Sequence, residues 1–351
     1  MTQTTITLGR APDAGVPPDI GQRLGAAIPG LALAVVVGIT ATGLSRHLNV
    51  SALVFALVVG MMLHVVAKDR QFQAGIQMAS SALLRTGVAL LGLRITVAEV
   101  ASLGWVTVAM VVAGIVLTIS LGIAASRWLR LGDRFGLLSG GAVAICGASA
   151  TLAIATVLPK HAESERDASF VVIAVTALST VAMILYPPLA AMVGLNDHSA
   201  GIFLGGTIHD VAQVVGAGYA VSTHAGDIAT VVKLLRVAML LPVCVVIGMV
   251  LQSRGSQAGR SPPVLPWFVV VFALLVVLGS AGWVPSRAIE AGGTASTWLL
   301  VTAMGAIGMK TSLRALVKVG PKAVLLVVGE TVFLGALVLA AIFWLGKPAG
   351  L

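Results

Sequence analysis

The sequence predicts an all-α integral membrane protein of about 11 transmembrane segments, built as an inverted repeat with two broken helices crossing near the bilayer midplane. Three observations predict it. Of 351 residues, 58% are hydrophobic and 10% are charged, against roughly 25% charged in soluble domains, so most of the apolar surface must face lipid or other helices. Apolar windows of about 20 residues, the length that crosses about 30 Å of hydrocarbon, recur along the chain. Two of those windows, SGGAVAICGASATLAIA (Ser139 to Ala155) and GIFLGGTIHDVAQVVGAG (Gly201 to Gly218), are interrupted by small and polar residues. Backbone freed by a broken helix in lipid must be buried in protein or turned toward a polar cavity, so these interruptions mark the expected site.

The first 24 residues are polar, include Pro17 and Pro18, and lack the basic start and short apolar core of a cleaved signal peptide. They read as a flexible tail ahead of one membrane domain spanning 25–351. Candidate spans lie near 25–44, 50–67, 76–93, 103–125, 136–158, 168–194, 199–219, 228–252, 265–284, 295–309 and 321–346. The odd count leaves open whether either broken segment re-enters on its own side instead of crossing. Lysine and arginine concentrate in the loops shared with the N terminus, chiefly Arg10, Arg23, Lys68, Arg70, Arg127, Arg130, Arg134, Arg254, Arg260, Lys310, Arg314, Lys318 and Lys322. Arg46, Arg94, Lys160, Arg166, Arg287 and Lys347 fall opposite, which places the N terminus in the cytoplasm and the C terminus outside. The net charge of +9 is then topological and calls for no nucleic-acid partner. Forty glycines suit close helix packing, and Cys146 and Cys244 stand in separate apolar runs, which argues against a disulfide or a metal cluster. No phosphate-binding GxxxxGK[ST] loop is present, so no nucleotide or other cofactor is expected and primary pumping is excluded.

An internal repeat supports the count. GLRITVAEVASLG (Gly92 to Gly104) aligns without gaps on GMKTSLRALVKVG (Gly308 to Gly320), an offset of 216 that pairs Arg94 with Lys310 and Thr96 with Ser312. The halves so defined, approximately 25–160 and 199–346, run in opposite directions. Inverted repeats around a midplane site belong to secondary transporters.

The chemistry concentrates in the second interruption. Gly205 and Gly206 break the helix, Thr207 is placed to cap a new one, and His209, Asp210 and Gln213 fall in its first turns. A helix N-terminus at mid-membrane suits an anion. Asp210 opposes an anion unless protonated or paired, which makes it a candidate coupling-ion carrier with His209 beside it; the alternative is a structural pair. The first interruption supplies Cys146, Gly147, Ser149 and Thr151, with Cys146 either packing or lining the cavity. Charges within spans are Arg85, expected to face inward, Lys233 and Arg236, which either balance an anion or snorkel, His64, expected at the interface, and Glu330, which pairs with a base or carries a proton.

Together, ICGASA, ERD before a span ending LYPPL, GGTIHDVAQVVGAG, GDIATVVKLLRV and a late PWF resemble the YeiH-like sulfate-exporter family of bacterial membrane proteins, over about residues 28 to 345. The resemblance implies a secondary transporter related to the bile-acid-symporter and cation/proton-antiporter folds, with a core moving against a panel. Where relatives carry hydroxyl residues just before ICG, this chain has Val143 and Ala144. The expected function is proton- or sodium-coupled export of a small inorganic or sulfur-containing anion such as sulfate or sulfite. The anion is expected on Cys146, Gly147, Ser149, Thr151, Gly206, Thr207, His209, Gln213, Lys233 and Arg236, and the coupling ion on His209, Asp210 and Glu330. A cation/proton antiporter using Asp210, an intramembrane enzyme using Cys146 with His209, and a passive anion channel are the alternatives. Fold analogy adds a homodimer through the panel helices.

Overall fold

The computed structural model describes residues 20–48, 51–159, 163–253, 266–310 and 321–345, and among these every regular element is a helix. The first 19 residues, Lys160, Arg254, Arg260, Lys347 and most of the repeat block after Lys310, with Ser312, Arg314 and Lys318, lie outside the described residues. Helix α1 (Ile20–Leu48) already includes the end of the stretch expected to be tail. It is followed by α2 (Ala52–Met62), a 3-10 turn, α3 (Arg70–Met78), a π-helical turn over Ala79–Leu83, α4 (Leu84–Leu91), a short α5 (Val97–Ser102) and α6 (Gly104–Trp128). The first broken segment is α7 (Asp133–Ala144) with α8 (Ala148–Val157), and α9 (Ser164–Met192) leads to the second, α10 (Asp197–Thr207) with α11 (Val211–Val221). The chain continues through α12 (Thr223–Ala238), α13 (Leu240–Ser253), α14 (Trp267–Ser280), α15 (Ser286–Lys310) and α16 (Pro321–Leu345). Six stretches are long and apolar enough to cross a membrane, including Gly104–Trp128, Ser164–Met192 and Thr223–Ser253.

Both broken segments are present, and both are re-entrant hairpins rather than helices that cross the layer. In the second, Gly201 and Gly205 of α10 pack on Ile228 and Ala229 of α12 in the same chain direction, whereas Gly218 of α11 packs back on Gly226. The base of the hairpin is therefore at the start of α12, where His198 and His224 stack with ring centroids 6.1 Å apart. In the first, Gly141 of α7 lies under the side chain of Ile154 in α8, and Arg134 and Phe135 share a small cavity with Leu158 and Pro159. The long helix α9 joins the two bases, so the hairpins enter from opposite sides. Their tips meet: a Cβ placed on Gly147 would stand 3.5 Å from the Cβ of His209. Two of the eleven expected crossings are thus hairpins that return to the side they start from.

The inverted repeat is visible in the packing. An offset of 216 carries Ala52 to Phe268 at the head of α14, Arg70 to Ser286 at the head of α15, and Gly104 to Gly320 just before α16. The paired helices run antiparallel. Gly114 and Gly122 of α6 meet Leu334 and Glu330 of α16, while Gly87 and Arg94 meet Leu300 and Gly293 of α15. A shorter offset of 64 carries Asp133 to Asp197 and Val157 to Val221, so the two hairpins match in length from the first residue of one helix to the last of the other.

Two bodies follow from the contacts. A core gathers α6, both hairpins, α9, α12 and α16, and a panel gathers α1 to α4, α14 and α15. Glycines permit the closest approaches in both, as Gly60 against Gly308 in the panel and Gly122 against Gly136 and Gly140 in the core. Between the bodies contacts are sparse, chiefly α11 against α2 and α15.

Candidate functional site

At the seam between core and panel, beside the hairpin tips, lies a cavity of about 350 Å³. The core side supplies Cys146 and Ser149 from the first hairpin and Asp210 and Val211 from the second. These residues mark the N-terminal ends of α8 and α11, whose first-turn N–H groups have no intrahelical partners. The panel side supplies Ser80, Ser81 and Arg85, on and just after the π-helical turn, a distortion frequent at functional sites. Pro266, Trp267 and Phe268, the PWF sequence, close one apolar wall. Among the described residues Arg85 makes no hydrogen bond or ion pair, and its guanidinium is the cation that lines this cavity.

The other two helix ends at the tips, the C-termini of α7 and α10, carry the opposite partial charge and face the opposite way. Arg236 donates from Nε to the carbonyl of Ala144 (2.9 Å), from one terminal nitrogen to Gly205 and Ile208 (both 3.0 Å), and from the other to Val143 (2.8 Å). Lys233 Nζ donates to Ile145 (2.6 Å) and Ile208 (3.0 Å). Both cations are fully buried on α12. They satisfy carbonyls released where α7 and α10 stop and neutralise two negative dipole ends. The tips are sorted by polarity: negative ends onto buried cations, positive ends onto the cavity.

The expected site residues divide accordingly. Cys146, Ser149 and Asp210 line the cavity, and Gly147 caps α8 at φ +61°, a conformation that favours glycine. Asp210 caps α11, its Oδ1 accepting from Ala212 N at 2.9 Å and its own N donating to Ser179 Oγ at 3.0 Å. The cap is therefore Asp210 and not Thr207, because α10 continues through Thr207, whose hydroxyl donates to its own helix at Phe203 (2.6 Å). Thr151 does the same to the carbonyl of Gly147 (3.0 Å). Gln213 turns to α9, where Nε2 donates to Thr180 (2.9 Å), and Gly206 packs toward Val338 of α16. None of these four lines the cavity, since helical hydroxyls are readily saturated by the preceding turn. His209 is fully buried behind the tip with Nε2 3.0 Å from Thr331 Oγ1, and Glu330 lies deeper in the core. Lys233 and Arg236 are held by backbone carbonyls and stand apart from any cavity ligand.

Sequence reasoning placed Arg85 inward but left it out of the site, and missed Ser80 and Ser81. The signal was a hydroxyl pair one turn ahead of a lone arginine in an apolar span. His64, expected at the interface, donates from Nδ1 to the carbonyl of Met309 (2.7 Å) and lines a second cavity with Lys68, Gln77 and Lys310.

Comparison with known proteins agrees with the motif resemblance. A model of the family described as conserved hypothetical protein 698 matches residues 29–327. A UPF0324 membrane protein of Chlorobaculum tepidum is 50% identical over 320 residues, covering 90% of this chain and 89% of that one. The UPF0324 membrane protein TauZ of Paracoccus denitrificans is 49% identical over 325 residues, 92% of this chain and 96% of that one. Among solved structures, the sodium proton antiporter MjNhaP1 of Methanocaldococcus jannaschii at pH 8 aligns with 91% of this chain and 99% of its own at 13% identity, with a TM-score of 0.29, too low to carry an argument.

Proposed function

Because the chain belongs to the conserved hypothetical protein 698 family, whose curated relatives are named as membrane proteins, we propose that it is a secondary active transporter of a small inorganic or sulfur-containing anion of the sulfate or sulfite class. One observation carries this reading: two helix N-termini and Arg85, unpaired among the described residues, converge on one cavity between two loosely joined bodies. Backbone N–H groups at positive dipole ends, a hydroxyl such as Ser149 and a guanidinium are the donor set that replaces the water of an oxyanion. Asp210 faces the same space, but one of its oxygens is engaged as a cap. It sets an electrostatic limit on the substrate's charge without excluding an anion.

In this reading the core carries the anion on the hairpin tips and moves against the panel, with a proton or sodium gradient as the driving force and export as the direction. The protein sits in the bacterial inner membrane with its N terminus in the cytoplasm and its C terminus outside, and the panel helices form a homodimer. Re-entry of the first hairpin supports that orientation, because it returns Arg166 to the side of the N terminus and strengthens the positive-inside bias. The cavity then opens toward the cytoplasm, where Pro266 and the base of the first hairpin lie. The separation of two groups supports transport rather than catalysis: Cys146 lines the cavity while the His209 ring is turned to Thr331. A cation/proton antiporter built on Asp210 has to place its cation opposite Arg85, which disfavours it.

Proteoliposome uptake of sulfate, sulfite, thiosulfate, small sulfonates and carboxylates at two pH values, with thermal shift in parallel, tests the proposal. Saturable flux of an oxyanion is the expected result. A response to cations alone, or flux that does not saturate, overturns it.

A further inference from the structure

We propose that the coupling ion is a proton and that its binding site is the carboxyl of Glu330, held by Ser139 inside the core, apart from the anion cavity. The inference rests on the transporter reading above and adds the identity and place of the coupling ion.

Glu330 of α16 is 1% exposed, and its Oε1 accepts from Ser139 Oγ of α7 at 2.8 Å. Its Oε2 has no partner among the described residues. Gly122 of α6 stands against the same carboxyl. Buried polar atoms almost always find partners, and a carboxylate with one bare oxygen at this depth is costly, whereas a proton on Oε2 removes the charge. A carboxylic acid is a donor through its O–H, and a carboxylate accepts only. Ser139 donates to Oε1 in either form, so the bond that holds the carboxyl survives gain or loss of the proton on Oε2. The step is transfer of one proton onto or off Oε2, with no other bond made or broken.

The surroundings favour a proton over a metal cation. A hard cation takes about six or more oxygen ligands, and here one carboxyl and one hydroxyl are packed by the close approach of Gly122, Gly136 and Gly140. The titratable and charged groups facing α16 from its neighbours are His209 of the second hairpin tip, bonded to Thr331, Tyr186 of α9, against Gly335, and Arg236 of α12, which shares a small cavity with Leu334 and Val338. From α7 the facing polar group is Ser139. Among the described residues no ion pair forms at Glu330. Its link to transport is one residue long: Thr331 follows Glu330 and holds His209, next to the Asp210 cap of the cavity-facing helix.

The test compares wild type with Glu330→Gln in proteoliposomes loaded with sulfate or sulfite, reading anion-dependent thermal shift, anion exchange at equal pH, and accumulation driven by a pH gradient. Glu330→Gln is expected to keep the thermal shift and the exchange and to lose gradient-driven accumulation on the order of tenfold or more, within the range of couplings between two ligands of one protein. Gradient-driven accumulation retained in Glu330→Gln, or wild-type accumulation driven by sodium at equal pH, overturns the proposal. Wild type showing neither shift nor exchange defeats the transporter reading instead, so the two failures are distinguishable. Where Glu330→Gln does not fold, Ser139→Ala removes the donor to Oε1, and an unchanged pH midpoint of accumulation in that variant counts against the proposal.

Discussion

Arg85→Gln is expected to weaken oxyanion binding by about ten- to a hundredfold while leaving the melting temperature of the substrate-free protein unchanged. The magnitude is that of one charge-assisted hydrogen bond, about 1.5–3 kcal/mol, converted at 1.4 kcal/mol per decade. Stability is spared because Arg85 has no partner among the described residues to leave behind. Arg85→Lys keeps the charge but not the planar fork, and is expected to fall between wild type and the glutamine variant. Titration of each variant by anion-dependent thermal shift and by uptake kinetics checks this. Wild-type affinity in Arg85→Gln would place the anion elsewhere.

Arg236→Met is expected to do the reverse, with stability lost before transport is reached. The guanidinium donates to four carbonyls in two hairpins and is fully buried. Removing it orphans acceptors at both tips, each at about 1–3 kcal/mol, with no water at that depth to replace it. A loss of several kcal/mol exceeds what most single substitutions produce, so the variant is expected to melt far below wild type or fail to accumulate as folded protein. Lys233→Met, with two carbonyls at stake, is expected to be milder. Melting curves and monodispersity in detergent decide it. A stable Arg236→Met protein lacking only anion binding would restore the direct role for Arg236 that its carbonyl contacts argue against.

The contrast between these two arginines shows what was legible in the sequence. Hydropathy located the helices, and glycine with polar residues located both breaks, because those signals are local. Re-entry was not legible, since α10, its tip and α11 together are as long as a crossing, and hydropathy registers length without direction. The direction lay in which faces are small: Gly201, Gly205 and Gly218 all pack on α12. Residue type also misled within the breaks. Thr151, Thr207 and Gln213 are polar and close to the tips, yet each is engaged by its own helix or by α9. A hydroxyl in a helix has the carbonyl of the preceding turn as a partner at no distance, which the sequence does not reveal. Buried arginine and lysine were read as ligands for an anion, whereas the nearest unsatisfied negative charge was the pair of helix C-termini that the breaks themselves create.

Alkylation of Cys146 in sealed vesicles, in a Cys244→Ser background, tests the central claim most directly, because Cys146 lines the cavity at the tip where α8 begins. The account predicts reaction with a membrane-impermeant maleimide from one face, slowed saturably by the transported oxyanion, with that protection lost in Arg85→Gln. Reactivity indifferent to every anion and altered only by sodium would contradict it.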